Sequence, residues 1–155
     1  MIVTAPKEFT NLRSVSVFLA GTIDNGESQD WQLRYAQALN NLYEDRVTVY
    51  NPRRNDWNAK AGDTDIVKQI AWEQKYIRSC DIVLFNFLGG SRSPITLLEL
   101  GQCLGYSKDI VVVCPKEFWR YLNVRHTVLL HDRLVYGSMI IGMSKLVDKI
   151  DSRLK

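Results

Sequence analysis

Ser91–Arg92–Ser93–Pro94–Ile95–Thr96–Leu97–Leu98–Glu99–Leu100–Gly101–Gln102 is the stretch whose reading decides the fold. It follows Asp81–Ile82–Val83–Leu84–Phe85–Asn86–Phe87, an apolar run of strand length that reads as buried. Pro94 stands where a first helical turn tolerates a missing N–H, and Ser93 before it is a natural N-cap. The segment beyond is apolar and of helical length, with one carboxylate, Glu99, between Leu98 and Leu100. Desolvating a carboxylate is costly, so an acid in a helix that packs on a sheet has either a partner or a reaction to explain it.

Working outward, the same alternation recurs. Val15–Ala20 reads as a strand running into the turn-rich Gly21–Thr22–Ile23–Asp24–Asn25–Gly26. Trp31, Leu33, Tyr35, Ala36, Leu39 and Leu42 are read as one face of a helix, and Arg46–Tyr50 as a second strand ended by Asn51–Pro52. A polar loop over Arg53–Asp63 leads to a helix from Asp65 to Ser79, carrying Ile66, Ile70, Trp72, Glu73 and Ile77. After the quoted stretch, Asp109–Cys114 is a strand without alternation, which means burial on both faces. A short helix is expected around Glu117–Leu122, an edge strand somewhere in Val124–Val135, and a final amphipathic helix near Ser138–Leu154. The last of these would bury Ile140, Ile141, Leu146, Val147, Ile150 and Leu154. Strands alternating with helices predict an α/β fold, a flavodoxin-like three-layer sandwich with a parallel sheet of four to five strands, in a single domain over residues 1–155.

Composition excludes several classes. The 155 residues are 46% hydrophobic and 24% charged, the balance of an ordinary globular protein. The net charge of +3 is spread along the chain without a basic stripe, so a nucleic-acid polymer is not the expected partner. No run is long enough to span a bilayer and no signal-peptide pattern opens the chain, so no membrane partner is expected. Three cysteines in or beside apolar segments suit buried thiols in a reducing, cytoplasmic setting. His126 and His131 lack metal-site spacing, and neither a dinucleotide fingerprint nor a P-loop occurs, so no metal and no cofactor is expected.

In an open parallel sheet, ligands bind beyond the carboxyl ends of the strands. That rule gathers Gly21, Thr22 and Asp24 after the first strand, and Asn51, Arg53 and Trp57 after the second. It adds Arg92 and Ser93 before the Glu99 helix, with Glu73 as a candidate for the same crevice. Two carboxylates in one crevice are the minimum equipment for glycosidic-bond chemistry. Trp31 and Trp57 are candidates to stack on a base, and Arg53, Arg54 and Arg92 to grip a phosphate.

Phe18–Leu19–Ala20–Gly21–Thr22–Ile23, the pair Trp72–Glu73, Asp81, and Pro94–Ile95–Thr96–Leu97–Leu98–Glu99–Leu100–Gly101 together resemble the nucleoside 2-deoxyribosyltransferase-like family, from about Val15 to about Arg125. The resemblance implies an enzyme of nucleoside or nucleotide metabolism that acts on a small-molecule deoxynucleoside or deoxynucleotide, and a homo-oligomer. It places Glu99 on the nucleophile that holds the deoxyribose as a glycosyl ester, and Glu73 on the acidic position that assists with sugar and base. Ser93 falls where transferases have an acidic base-contacting residue and related deoxynucleoside 5′-phosphate N-hydrolases a phosphate-contacting serine; Gly21 and Thr22 fall on the loop that approaches sugar or phosphate. The transferases also use a carboxylate or tyrosine at the C-terminus, and Ser152–Arg153–Leu154–Lys155 departs from that pattern. The expectation is a transferase-like enzyme first, a 5′-monophosphate N-glycosidase second, and a non-catalytic nucleotide or ADP-ribose-type binding module third.

Overall fold

The computed structural model describes residues 1–9, 14–54 and 62–155, which form two compact units. The first comprises residues 1–19 and 23–81, the second residues 20–22 and 82–155.

In the first unit, β1 (Ile2–Thr4) pairs in parallel with β3 (Val47–Asn51), with Ile2 opposite Val49. β3 pairs in parallel with β2 (Val15–Gly21), with Val15 opposite Val47. Every residue of β3 is buried, as its β-branched, non-alternating sequence requires. Between β2 and β3 runs α1 (Trp31–Tyr43), started by Asp30, whose Oδ1 accepts the Leu33 N–H at 2.9 Å. Trp31, Tyr35, Ala36 and Leu39 are buried, whereas Leu33 and Leu42, expected on the same face, are exposed. Leu33 lies two positions from Trp31, roughly 200° around the helix.

α2 (Asp63–Ser79) buries Trp72, Tyr76 and Ile77 and exposes Ile70, so its inward face is the aromatic one. Tyr50 and Tyr76 stack with centroids 4.1 Å apart, and Trp72 lies 4.7 Å from Tyr76. The polar tips of these rings hold the segment that follows β1. Trp72 Nε1 donates to the Lys7 carbonyl, Tyr50 Oη donates to the Phe9 carbonyl, and Tyr76 Oη accepts the Phe9 N–H. The sequence leaves this lead-in without a structure, because its anchors come from residues more than forty positions away.

The second unit begins with β4 (Ile82–Asn86), parallel to β5 (Ile110–Val113), with the α3 helix (Pro94–Gly105) between them. α3 buries Thr96, Glu99, Leu100, Cys103 and Leu104 and exposes Ile95 and Leu98. The next helix starts later than expected. Phe118 N–H bonds back to Pro115 and Tyr121 N–H to Phe118, a chain of tight turns that delays α4 to Tyr121–Leu130. β6 (Val135–Tyr136) then pairs in parallel with β5. Ser138 caps α5 (Met139–Leu154), which buries Leu146 and Ile150 but leaves Ile140 84% and Ile141 48% exposed, contrary to the amphipathic reading of its first turn. Its last turns are tied to the start of β5, where Asp109 accepts from Lys149 Nζ and an Arg153 guanidinium nitrogen, each at 2.6 Å.

The sheet order is β1-β3-β2-β4-β5-β6, with β1–β3, β2–β3, β4–β5 and β5–β6 paired in parallel. This is the flavodoxin-like α/β fold, with six strands rather than four to five. The two additional strands are three and two residues long, too short to show periodicity in sequence.

Candidate active site

The second unit places its chemistry at the carboxyl end of β4. Thr22 belongs to this unit: its N–H donates to the Asn86 carbonyl at 3.0 Å, and its Oγ1 accepts the Leu88 N–H at 3.1 Å. Thr22 Oγ1 also meets Ser93 Oγ at 2.6 Å, and Ser93 Oγ meets Ser91 Oγ at 2.9 Å. All three residues are buried, so a chain of hydroxyls lines the approach to α3.

Ser93 occupies the N-cap position but does not cap. Its backbone is left-handed (φ 45°, ψ 52°), its side chain makes no capping bond, and its hydroxyl goes to Thr22 and Ser91 instead. N-caps ordinarily adopt extended dihedrals, from which the side chain reaches back over the first turn. Pro94 at the first helical position behaves as expected.

Glu99 sits in the second turn of α3, 6% exposed. One turn further, the Cys103 thiol is pushed up to about 12, first by burial and then by the negative charge of Glu99. Arg92 extends an exposed side chain, while its carbonyl accepts the Trp119 indole N–H at 3.0 Å. At the end of β4, both polar atoms of the Asn86 amide are buried and have no hydrogen-bond partner among the described residues. Ser91, Asn86 and Trp119 were not singled out from sequence. A polar residue closing an otherwise apolar strand is the signal that could have flagged Asn86.

The first unit carries the other candidates. On α2, Gln69 Nε2 donates to the Pro52 carbonyl at 2.9 Å and to Glu73 Oε1 at 2.8 Å. Burial raises the Glu73 carboxyl above its ordinary range, and the Gln69 bond, which favours the anion, opposes the rise. Asn51 is buried at the end of β3, with Oδ1 accepting the Arg53 N–H at 3.0 Å. The Arg53 guanidinium donates to the carbonyls of Gly26, Ser28 and Gln29, at 2.7, 2.7 and 3.1 Å, and lies 3.8 Å from the Asp30 carboxylate. It thereby fastens the loop after β2 to the loop after β3. Asp24 opens a short 3-10 turn within that fastened loop, with φ 48°, and Gly21 ends β2. Trp31 is fully buried, edge-on to Tyr35 at 5.7 Å, and offers no surface for stacking. Trp57 lies outside the described residues. Among the described residues, no group of three His, Cys, Asp or Glu side chains is placed to hold a metal ion.

A parallel α/β domain whose helix after β4 starts at a cluster of buried hydroxyls and carries a buried carboxylate is the class the fold and these residues define. Residues 14–118 match the family described as nucleoside 2-deoxyribosyltransferase like, and the chain belongs to that family. Its fold is similar to that of a conserved protein from Enterococcus faecalis V583, with a TM-score of 0.58 and 14% identity over 90% of this chain and 99% of that one. No curated protein matches the chain in sequence. No helix among the described residues is long and apolar enough to cross a membrane.

Proposed function

We propose that the chain cleaves the N-glycosidic bond of a deoxynucleoside or deoxynucleotide through a covalent glycosyl ester on Glu99. The observation that carries this reading is a carboxylate 6% exposed on the helix after β4, in a chain of this family. Breaking an N-glycosidic bond builds positive charge on the sugar ring, which an adjacent anion stabilises. A Glu99 carboxylate oxygen bonds to C1′, and the C1′–N bond breaks with its electron pair left on the base nitrogen. That nitrogen takes a proton from a general acid, and Glu73, whose carboxyl burial holds above the ordinary range, has the chemistry for the task. In the second step, water or the nitrogen of another base attacks C1′ and gives up its proton to the Glu73 carboxylate left by the first step, the ester C–O bond breaks, and the Glu99 carboxylate is restored.

Thr22, Ser93 and the exposed Arg92 are the groups we assign to the sugar or its phosphate, with Gly21, Asp24, Asn51, Arg53 and Trp57 in supporting or contact roles. Transfer to a second base is the first form of the reaction. Hydrolysis of a 5′-monophosphate is the second, favoured by the hydroxyl cluster and Arg92. A homo-oligomer belongs to the same reading, with exposed Ile140 and Ile141 as apolar surface for it. No metal or cofactor takes part, and the cytoplasm is the expected setting.

The test is intact-protein mass measurement after incubation with deoxynucleosides and their 5′-monophosphates, with and without an added free base. A deoxyribosyl adduct on Glu99, absent in Glu99→Ala, is the expected result. Base exchange then selects transfer, and released sugar selects hydrolysis. No adduct and no released base overturns the reading, and ligand retained intact turns it into the binding module.

A further inference from the structure

The loop between β5 and α4 is fixed against the loop that carries Ser91 and Ser93 by three contacts. Phe118 packs on Phe87 with centroids 4.8 Å apart. Gly89 approaches so closely that an added Cβ would stand 3.1 Å from the Glu117 Cβ. Trp119 donates its indole N–H to the carbonyl of Arg92, the residue before Ser93. Trp119 is nevertheless 51% exposed, whereas Trp31 and Trp72 are in the core. The Arg120 guanidinium lies over the ring, 4.4 Å from its centroid.

A large aromatic side chain left half in water ordinarily has its polar tip in water too. Here the polar tip is bound to a carbonyl, so the ring is held in one orientation with apolar surface still exposed. The loop follows the carboxyl end of β5, the end of a parallel sheet at which ligands bind. We propose that Trp119 is a stacking platform for the base of the substrate, with Arg120 on the ring as its cationic backing. This rests on the deoxyribosyl reading above and adds to it the residue that recognises the base. A planar heteroaromatic ring is the ligand chemistry that fits: it takes apolar contact from the indole, and an Arg already on the ring polarises the pair favourably. Stacking accepts any base, so the platform contributes affinity without choosing between purines and pyrimidines.

The indole has two functions that substitution separates. Trp119→Phe keeps an aromatic face and removes the N–H bond to Arg92; Trp119→Ala removes both. Binding of deoxynucleoside 5′-monophosphates and of 2-deoxyribose 5-phosphate is measured by calorimetry for the wild type and both variants. Each variant's thermal unfolding is recorded alongside, and adduct formation on Glu99 is followed by mass. Trp119→Ala is expected to weaken the nucleotides by about tenfold or more, the range of a lost base–aromatic stack. Trp119→Phe is expected to keep most of that affinity, and deoxyribose 5-phosphate to bind all three proteins alike.

Equal loss in both variants, or equal loss for the base-free sugar phosphate, would mean that Trp119 only positions the Arg92–Ser93 loop, and overturns the platform. A wild type that forms the adduct while Trp119→Ala binds nucleotide unchanged overturns the platform and leaves the deoxyribosyl reading standing. A wild type that binds no nucleotide overturns both.

Discussion

The hydroxyls of Thr22 and Ser93 lie 2.6 Å apart although the two residues are 71 positions apart in the chain. Ser93 holds that contact at the cost of a left-handed backbone, φ 45°, which a side chain with a Cβ resists by about 1–2 kcal/mol. Ser93→Ala keeps the strain and removes the contacts of the Ser93 hydroxyl with the buried Thr22 and Ser91, a loss of about 1–3 kcal/mol. Ser93→Gly loses the same bonds but relieves the strain. Denaturant unfolding should therefore rank the wild type first, Ser93→Gly second and Ser93→Ala last. A glycine variant no more stable than the alanine one would show that the backbone angle costs nothing.

Glu73 makes stability depend on pH in a direction opposite to most carboxylates. Burial favours its neutral form, so the folded chain keeps the proton where the unfolded chain, near the ordinary value of 4.5, has released it. Its contribution is most favourable in acid and is lost as pH rises from the unfolded value through the raised folded one. Glu73→Gln keeps an acceptor for Gln69 and carries no charge. Its stability relative to the wild type is expected to rise as pH increases above the ordinary carboxyl value of 4.5 in urea titrations. A constant difference across that range would remove burial as the cause. Turnover should fall in the same variant, by roughly 10²–10⁴ for a lost general acid.

Arg53 fastens one loop by the planarity of its fork, not by its charge alone. Arg53→Ala should lower stability by about 1–2 kcal/mol, reduced from the value for fully buried bonds because several of these are partly exposed. Arg53→Lys should recover little of it, since one ammonium cannot reach three carbonyls at the spacing the guanidinium spans. Hydrogen exchange of the amides from Gly26 to Asp30 would report the loosening directly. Full rescue by lysine would show that charge, not shape, is what the loop requires.

The three cysteines are buried thiols outside any disulfide, and burial pushes the Cys103 and Cys114 thiols up to about 12. At about pH 8 such a thiol is ionised in roughly one molecule in ten thousand. The native protein should resist a maleimide at that pH and take up three equivalents once unfolded. Rapid labelling of Cys103 in the native state would contradict its burial beside Glu99.

How much of this was legible in sequence follows the reach of each interaction. The four longer strands announced themselves because apolar runs such as Ile110–Val113 admit few other structures. The burial of Glu99 was legible because a carboxylate set among leucines at helical spacing shares a face with the buried ones. Ser93 was placed correctly and its role misread: a cap is a local contact, whereas Thr22 competes for the hydroxyl from far along the chain. Trp31 was offered as a stacking surface because it is aromatic and lies near polar loops, but its position at the start of α1 puts it in the core. Trp119 escaped for the converse reason, since only the carbonyl of Arg92 tells a fixed exposed indole from a loose one. Ile140 shows a related limit: counted from the buried Leu146 and Ile150 it lies roughly 120° and 80° around the helix, off the face they share.

Thr22 lies in the first quarter of the chain yet belongs to the compact unit built from residues 82–155. Dissection by cloning therefore fails at an unexpected point. A fragment spanning 82–155 lacks Ala20–Thr22, and with them the Thr22 hydroxyl that accepts the Leu88 N–H and meets Ser93 Oγ. A synthetic peptide covering Val15–Thr22, added in trans, supplies the missing partner and turns the fragment into a complementation assay for that one threonine.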